Sequence, residues 1–313
     1  MNLFDELVNV AMQQQPSMVT LRPVVEKELL HHDILRVLSQ EGLLHQLTFM
    51  GGTCLRACYG ASRLSEDLDF TGGHSFTRDQ LSTMGKLISA SLQTKYGLAV
   101  EVSEPIKEQG NVDTWKIKVQ TRPGQRDLPA QRINIDVCAI ASYQVRPMVL
   151  LNAYGVDMGT SGLILRVQSR EEIFADKLLA FALRPNRLKH RDIWDIAWLT
   201  QQKVSPAIEL MAQKLLDHRV SQNDYLKAFS ERAALLNNEP QIAIDFQKEM
   251  SRFLPNEIVK ETIHSKLYWD YLSNLMAELE SKISLNFGLV PDRFQPSIQC
   301  STGQNTNQLR LGV

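Results

Sequence analysis

The sequence predicts an α+β fold, in which a mixed sheet with flanking helices is followed by an all-helical C-terminal half. Three observations carry that expectation. About five short segments ahead of residue 165, and a further one at LILRVQS, alternate or run apolar as strands do. Apolar residues at helical spacing lie ahead of and between them, and from 166 to about 285 the pattern is helical almost throughout. The expected organisation is a mixed core over 1–165, a helical domain over 166–285 and an extended or disordered tail over 286–313, where Pro291 and Pro296 stand among Ser, Gln, Asn and Gly.

The elements follow in order. Leu29, Ile34, Leu35, Leu38, Leu43 and Leu44 recur at helical spacing, so helices are expected over 4–12 and 24–47. LTFMGG then reads as a strand closed by two glycines, and TCLRACYG as a helix that opens at Thr53 and stops at Gly60. A short strand, DLDF, precedes Thr71-Gly72-Gly73 and a helix over 78–95. LAVEVSE, DTWKIKVQT and RINIDVCAI are strands separated by the turn Glu-Gln-Gly-Asn at 108–111 and the loop TRPGQRDLPAQ. After LILRVQS, Ser169 and Glu172 have the spacing of a capping box at the head of a helix reaching 183 or 184. Helices over RDIWDIAWLTQQ, PAIELMAQKLLDHR, DYLKAFSERAALL, IAIDFQKEMSRFL and ETIHSKLYWDYLSNLMAELESKI complete the second half.

Composition narrows the function. A net charge of −1 over 313 residues excludes a uniformly basic surface, so any grip on nucleic acid must come from local clusters. Cys54, Cys58, Cys138 and Cys300 are too few and too scattered for a disulfide framework, and none forms a CxxC knuckle. The N-terminal stretch carries acids early without a basic start and apolar block, and no apolar run approaches the roughly 20 residues that span a bilayer. A soluble cytoplasmic protein without a membrane partner is the expectation. GxSxG, Walker A and GxGxxG motifs are missing, which removes support for serine-hydrolase, P-loop and dinucleotide readings.

The chemistry concentrates in GGTCLRACYGASRLSEDLDF. On a strand, Leu68 points away from Asp67 and Asp69, which leaves both carboxylates on one side. Held together they repel unless a cation lies between them, and hard oxygen ligands suit Mg²⁺ or Mn²⁺ in contact with a substrate phosphate. Gly51 and Gly52 let backbone N–H groups approach an anion, with a helix N-terminus behind them. Alone, an Asp-x-Asp pair is mostly a solvated turn or a helix cap. Asp136, mid-strand among Ile133, Ile135 and Val137 and sharing a face with Asn134, is the candidate third acid, since a carboxylate there costs stability unless paired, coordinated or turned to a cleft.

A second constellation lies in EEIFADKLLAFALRPNRLKHRDIWDIAWL. Lys177 neighbours Ile173, Ala180 and Phe181, so its ammonium is expected to emerge beside a packed surface, where a triphosphate would neutralise it. Asp192 and Asp195 are three apart and share a helix face, Asp192 also standing where an acid favours the helix dipole. Arg184, Arg187, Lys189, His190 and Arg191 form a basic run able to meet phosphates or simply to stay solvated.

Together, GGTCLR from Gly51 to Arg56, RLSEDLDF from Arg63 to Phe70, Lys177, and RDIWD from Arg191 to Asp195 resemble the AbiEii/AbiGii toxin family of nucleotidyltransferases, in the DNA polymerase beta-like superfamily, over residues 45–200. The resemblance implies a nucleotidyltransferase-like core to which the helical half contributes Lys177 and Asp192. It implies that Asp67 and Asp69 hold the metal, with Gly51, Gly52 and Thr53 near the nucleotide phosphates. Arg56, Arg63 and Ser65 of the matched blocks become nucleotide-binding residues. Lys177 would bind triphosphate and Asp192 would support the centre. Asp136 matches by strand context, as a metal ligand and base toward the attacking hydroxyl. Thr53 stands where the family has serine, which keeps a hydroxyl.

Family members act as toxins of toxin–antitoxin or phage-abortive systems. The resemblance therefore implies an NTP substrate, an RNA acceptor, tRNA foremost, and a separate antitoxin protein. Two other readings stand beside it, a nucleotidyltransferase with a protein or small-molecule acceptor, and a binding module that keeps the fold without catalysis.

Overall fold

The computed structural model describes residues 2–106, 111–122, 129–185 and 187–289. The turn expected at 108–111, most of the loop between DTWKIKVQT and RINIDVCAI, Cys300 and the tail from 290 onward lie outside the described residues, apart from Asn111 and the loop's ends. The chain forms two compact units. One comprises the residues up to Ser169 together with Ser251–Val259, and the other comprises Arg170–Met250 and the chain from Lys260.

The first unit is built on a seven-stranded mixed sheet. In chain order its strands are β1 (Thr48–Met50), β2 (Leu68–Thr71), β3 (Val100–Ser103), β4 (Val112–Val119), β5 (Gln131–Cys138), β6 (Val145–Val149) and β7 (Ile164–Gln168). Their spatial order is β3-β4-β5-β2-β1-β7-β6. Six of the seven strands are those the alternation predicts. The seventh, β6, escapes prediction because Pro147 interrupts VRPMV, and the fold tolerates that proline because β6 lies at the sheet edge, paired only with β7.

The longer helices described in this unit are α1 (Leu3–Gln14), α2 (Arg22–Gln40), α3 (Gly51–Tyr59) and α4 (Met84–Tyr96), with a single turn at Asn256–Ile258. The apolar run that suggests one helix to residue 47 ends at Gln40, and Gly42 at φ +71° turns the chain toward β1. The helix expected over 78–95 is a 3₁₀ turn at Arg78–Leu81 followed by α4. α2 packs on α4 and on β5, and the sheet's core face carries Phe49, Leu68, Phe70, Trp115, Ile117, Ile133, Ile135, Val137 and Val167, each at most 2% exposed. By the period of two, the alternate residues of β2, β4 and β5 face the other way.

The second unit is all helical, with α5 (Arg170–Leu183), α6 (His190–Gln201), α7 (Ile208–Asp217), α8 (Gln222–Asn238), α9 (Pro240–Met250) and α10 (Lys266–Leu289). α5 packs on α6, α7 and α8, and Ile173, Phe174, Leu178, Ile193, Ile196, Met211 and Phe229 fill the interior. The long helix expected from 261 is divided by a wide turn at Val259–Ile263, and α10 continues to Leu289, past 286 where the tail is expected to begin. Among the described residues no helix is long and apolar enough to cross a membrane.

Candidate functional site

The sheet brings three of the predicted acids to one place. β2 and β5 run parallel with Asp69 in register with Asp136, so the two side chains leave the same face of adjacent strands. Asp67 stands one residue before β2, two residues from Asp69 and therefore on that face as well. Its Oδ1 accepts a hydrogen bond from the Asn134 backbone N–H at 3.1 Å, which closes the ladder where β2 begins. All three acids are half-buried.

Above them the chain turns from β1 into α3. Gly51 has φ +74°, and a Cβ there would come within 2.5 Å of Asp69 Oδ2. Only glycine meets both the left-handed backbone and the contact with the carboxylate. At Gly52 a Cβ would collide with Arg63 Nη2, so that guanidinium occupies the space a side chain would need. The Cys54 thiol is pushed up by burial, by Cys58 and by Asp69, and it packs here as a neutral thiol.

Residues 61–67, which carry the chain into Asp67, are held at almost every position. The Leu64 N–H donates to Phe253 O at 2.8 Å and Leu64 O accepts from Arg63 Nη1 at 3.0 Å. The Thr53 hydroxyl donates to the Asp67 carbonyl, and, having one proton, it must accept from Ser65 Oγ, 2.7 Å away. Three residues of α2 complete the grip. The Glu28 carboxylate accepts from the Ser65 N–H at 3.0 Å, from Arg56 Nε at 3.2 Å and from the Tyr154 hydroxyl at 2.5 Å. The Lys27 ammonium pairs with Glu66 at 2.6 Å. His31 Nε2 lies 3.0 Å from Glu66 O, which fixes the Nε2–H tautomer, and burial lowers its pKa to about 4.

Several expected nucleotide ligands are thereby turned inward. Thr53, Arg63 and Ser65 are 1%, 3% and 5% exposed, and Arg56 spends its guanidinium on Glu28, on Ala61 O at 3.1 Å and on the Tyr154 ring. Their side chains hold the strap that carries Asp67, while the backbone of Gly51 and Gly52 is the part of this turn that lies against Asp69. Glu28, His31 and Tyr154 have no signature in the sequence, because their partners are 28 to 126 residues away.

Hard oxygen donors on one sheet face, two of them in register, are of the chemical kind that Mg²⁺ or Mn²⁺ takes as ligands. The acids are not drawn into a ready-made cage. Among the described residues no three or more His, Cys, Asp or Glu side chains are grouped closely enough to hold a metal by themselves.

In the helical unit, Lys177 on α5 is 2% exposed rather than emergent. Its Nζ lies 2.6 Å from Asp192 Oδ1 and 3.1 Å from Asp195 Oδ2 on α6, and Arg184 reaches Asp192 Oδ2 at 3.2 Å. Burial alone would raise the Asp192 carboxyl, but Lys177, Lys189 and Arg184 hold it well below the usual carboxylate range. The Lys189 ammonium is lowered to about 8 by burial, with Lys177, Arg184 and Arg191 adding to the shift against the pull of Asp192. A second buried group lies beside it, where Lys214 meets Glu172 at 2.8 Å and Asp176 at 2.7 Å. Glu172 is thus engaged with Lys214, and the Ser169 hydroxyl lies 2.8 Å from Gln144 Oε1.

A comparison with curated protein sequences gives no match. Among solved structures the chain is similar to MenT4, a nucleotidyltransferase toxin from Mycobacterium tuberculosis H37Rv, at a TM-score of 0.54 and 16% identity, covering 89% of this chain and 92% of that one. It also matches JHP933 from Helicobacter pylori at a TM-score of 0.46 and 17% identity, over 85% of this chain and 97% of that one. The first likeness establishes a shared fold. The pattern that describes the nucleotidyl transferase AbiEii toxin of type IV toxin–antitoxin systems matches residues 33–288. With that span covering most of the chain, the protein belongs to the AbiEii family of nucleotidyltransferase toxins.

Proposed function

We propose that this toxin transfers a nucleoside monophosphate from an NTP to a hydroxyl of an RNA, tRNA foremost, and that Asp67, Asp69 and Asp136 hold the divalent ion the transfer requires. The observation that carries the reading is the register of Asp69 with Asp136, on the face Asp67 shares and against the backbone of Gly51. Mg²⁺ or Mn²⁺ bound there supplies positive charge to the transferring phosphoryl oxygens. The backbone N–H groups at the start of α3 meet the nucleotide phosphates, favoured by the helix dipole. Asp136, on the strand beyond β2, takes the proton of the attacking hydroxyl.

Thr53, Ser65, Arg56 and Arg63 serve this reaction by fixing Asp67 and the turn above Asp69. Lys177 and Asp192, which the family pattern gives to the triphosphate, hold each other at 2.6 Å inside the helical unit, with Lys177 2% exposed and also paired with Asp195, so their part is to maintain that unit's fold. A separate antitoxin protein opposes the toxin, as the family's type IV systems imply.

Incubation with each labelled NTP and total cellular RNA tests the reading, with label expected in RNA and none after Asp69→Asn. Label in protein or small molecules instead would overturn the acceptor. Unchanged labelling by Asp69→Asn would overturn the metal assignment.

A further inference from the structure

The sheet face that carries the acids continues onto β4 and β5, where its charge changes sign. In the β4–β5 ladder Thr114 opposes Asp136, Lys116 opposes Asn134 and Lys118 opposes Arg132. Opposed residues share a face, so Asn134, Lys116, Arg132 and Lys118 all lie on the face of Asp136. Their intervening neighbours Trp115, Ile117, Ile133 and Ile135 are at most 1% exposed on the other face, which confirms the phase. Lys116 and Arg132 are both exposed. Lys118 pairs with Glu101 at 3.0 Å, an exposed pair of small worth.

The spacing is set by the strands. At about 3.3 Å per residue, Lys116 lies about 7 Å along the sheet from the level of Asp136, and Arg132 about 13 Å. On the opposite flank the acids meet α3, where Gly51 closes on Asp69. The face therefore presents helix N–H groups on one side of the carboxylates and two cations at successive steps on the other. A polyanion whose reacting end lies at Asp136 would pass over both cations.

We propose that Lys116 and Arg132 bind the phosphodiester backbone of the single-stranded end of the acceptor RNA and lead its terminal hydroxyl along β5 toward Asp136. This rests on the RNA-acceptor reading above. It assigns the two cations to the acceptor and leaves the NTP to the α3 turn. The charge on this face fits an anionic strand, and its continuity with Asp136 fixes which end of that strand arrives first.

Full-length protein carrying Lys116→Glu and Arg132→Glu provides the test, with Lys86→Glu on the exposed surface of α4 as a control for net charge. Binding of a labelled single-stranded RNA oligonucleotide is followed by fluorescence anisotropy over a salt series, and NTP transfer by initial rates. The double variant is expected to weaken RNA binding at least about tenfold and to make the salt dependence shallower by about 1.4 in log–log slope, the value for two lost contacts on a single strand. The KM for RNA rises while the KM for NTP and the half-saturating Mg²⁺ concentration stay unchanged, and Lys86→Glu alters neither binding nor slope. Unchanged RNA affinity and slope would overturn the proposal, as would a loss confined to the KM for NTP, which would give the cations to the triphosphate. If wild-type protein labels no RNA, the acceptor reading itself fails, a result distinct from wild-type labelling that the variants leave intact.

Discussion

The acids of the candidate site and those inside the helical unit are treated in opposite ways, and Glu26, Glu28 and Asp33 of the sheet unit follow the second pattern, buried and ion-paired. Asp67, Asp69 and Asp136 stay half-buried on one sheet face, whereas Glu172, Asp176, Asp192 and Asp195 are at most 5% exposed and are gathered onto Lys177 and Lys214. In the helical unit the charges neutralise one another out of water, so removing one leaves its partners stranded at high cost. Around the candidate site the stabilising polar contacts run through Glu28, His31, Thr53 and the backbone of residues 61–67, which hold the strap leading into Asp67. Burial thus separates carboxylates that maintain the fold from those positioned to react.

The largest expected effect breaks that contrast directly. Lys177→Met leaves Asp192 and Asp195 buried without their shared cation and is expected to cost about 3–5 kcal/mol in urea unfolding. Asp69→Asn is expected to leave the unfolding midpoint nearly unchanged while transfer is lost. Equal destabilisation by both substitutions would erase the distinction.

A pH series separates the units by their histidines. Burial lowers His31 and His32 in the sheet unit and His218 in the helical unit from 6.5 to about 4. The unfolded chain therefore binds protons first as pH falls, so their stabilisation is complete above about 6.5 and is lost progressively down to about 4. Each accounts for at most about 3 kcal/mol over that window. His190 in the helical unit is lowered as well, chiefly by burial, but by less than the other three, so hydrogen exchange at pH 5 is expected to show the greater loss of protection in the sheet unit. Greater loss in the helical unit would contradict the assignment.

The smallest effect falls at the α3 turn. Gly51→Ala forces a left-handed backbone on alanine and drives its methyl against Asp69. A cost of about 1–2 kcal/mol in unfolding, with a larger proportional loss in transfer, is expected. An active variant of normal stability would show that the close approach of Gly51 to Asp69 has no role.

What the sequence made legible was local. The glycine turn, the acid pair and the strand of Asp136 all follow from neighbouring residues, and the β2–β5 register brings the acids together as their pattern suggests. Lys177 was harder to read because Ile173, Ala180 and Phe181, which share its side of α5, can equally mark a core position, and the aspartates that make burial tolerable lie on the next helix. Glu28, His31 and Tyr154 were illegible for the same reason, since a buried polar residue in a helical pattern is explained only by partners that folding supplies. Lys116 and Arg132 gained meaning only from the β4–β5 register, which hairpin pairing fixes and composition does not.

The hydrogen bond from Leu64 to Phe253 has a consequence for when the protein becomes active during its own synthesis. Ser251–Val259 belongs to the sheet unit although it is made after five helices of the other unit. At 5–20 residues per second, the roughly 190 residues from Leu64 to Phe253 take about 10–40 s to translate, during which the strap ahead of Asp67 lacks its Phe253 anchor. A ribosome-bound chain thus carries its acids long before it can secure them, and a truncated product ending before residue 251 would keep the acidic motif without the finished loop.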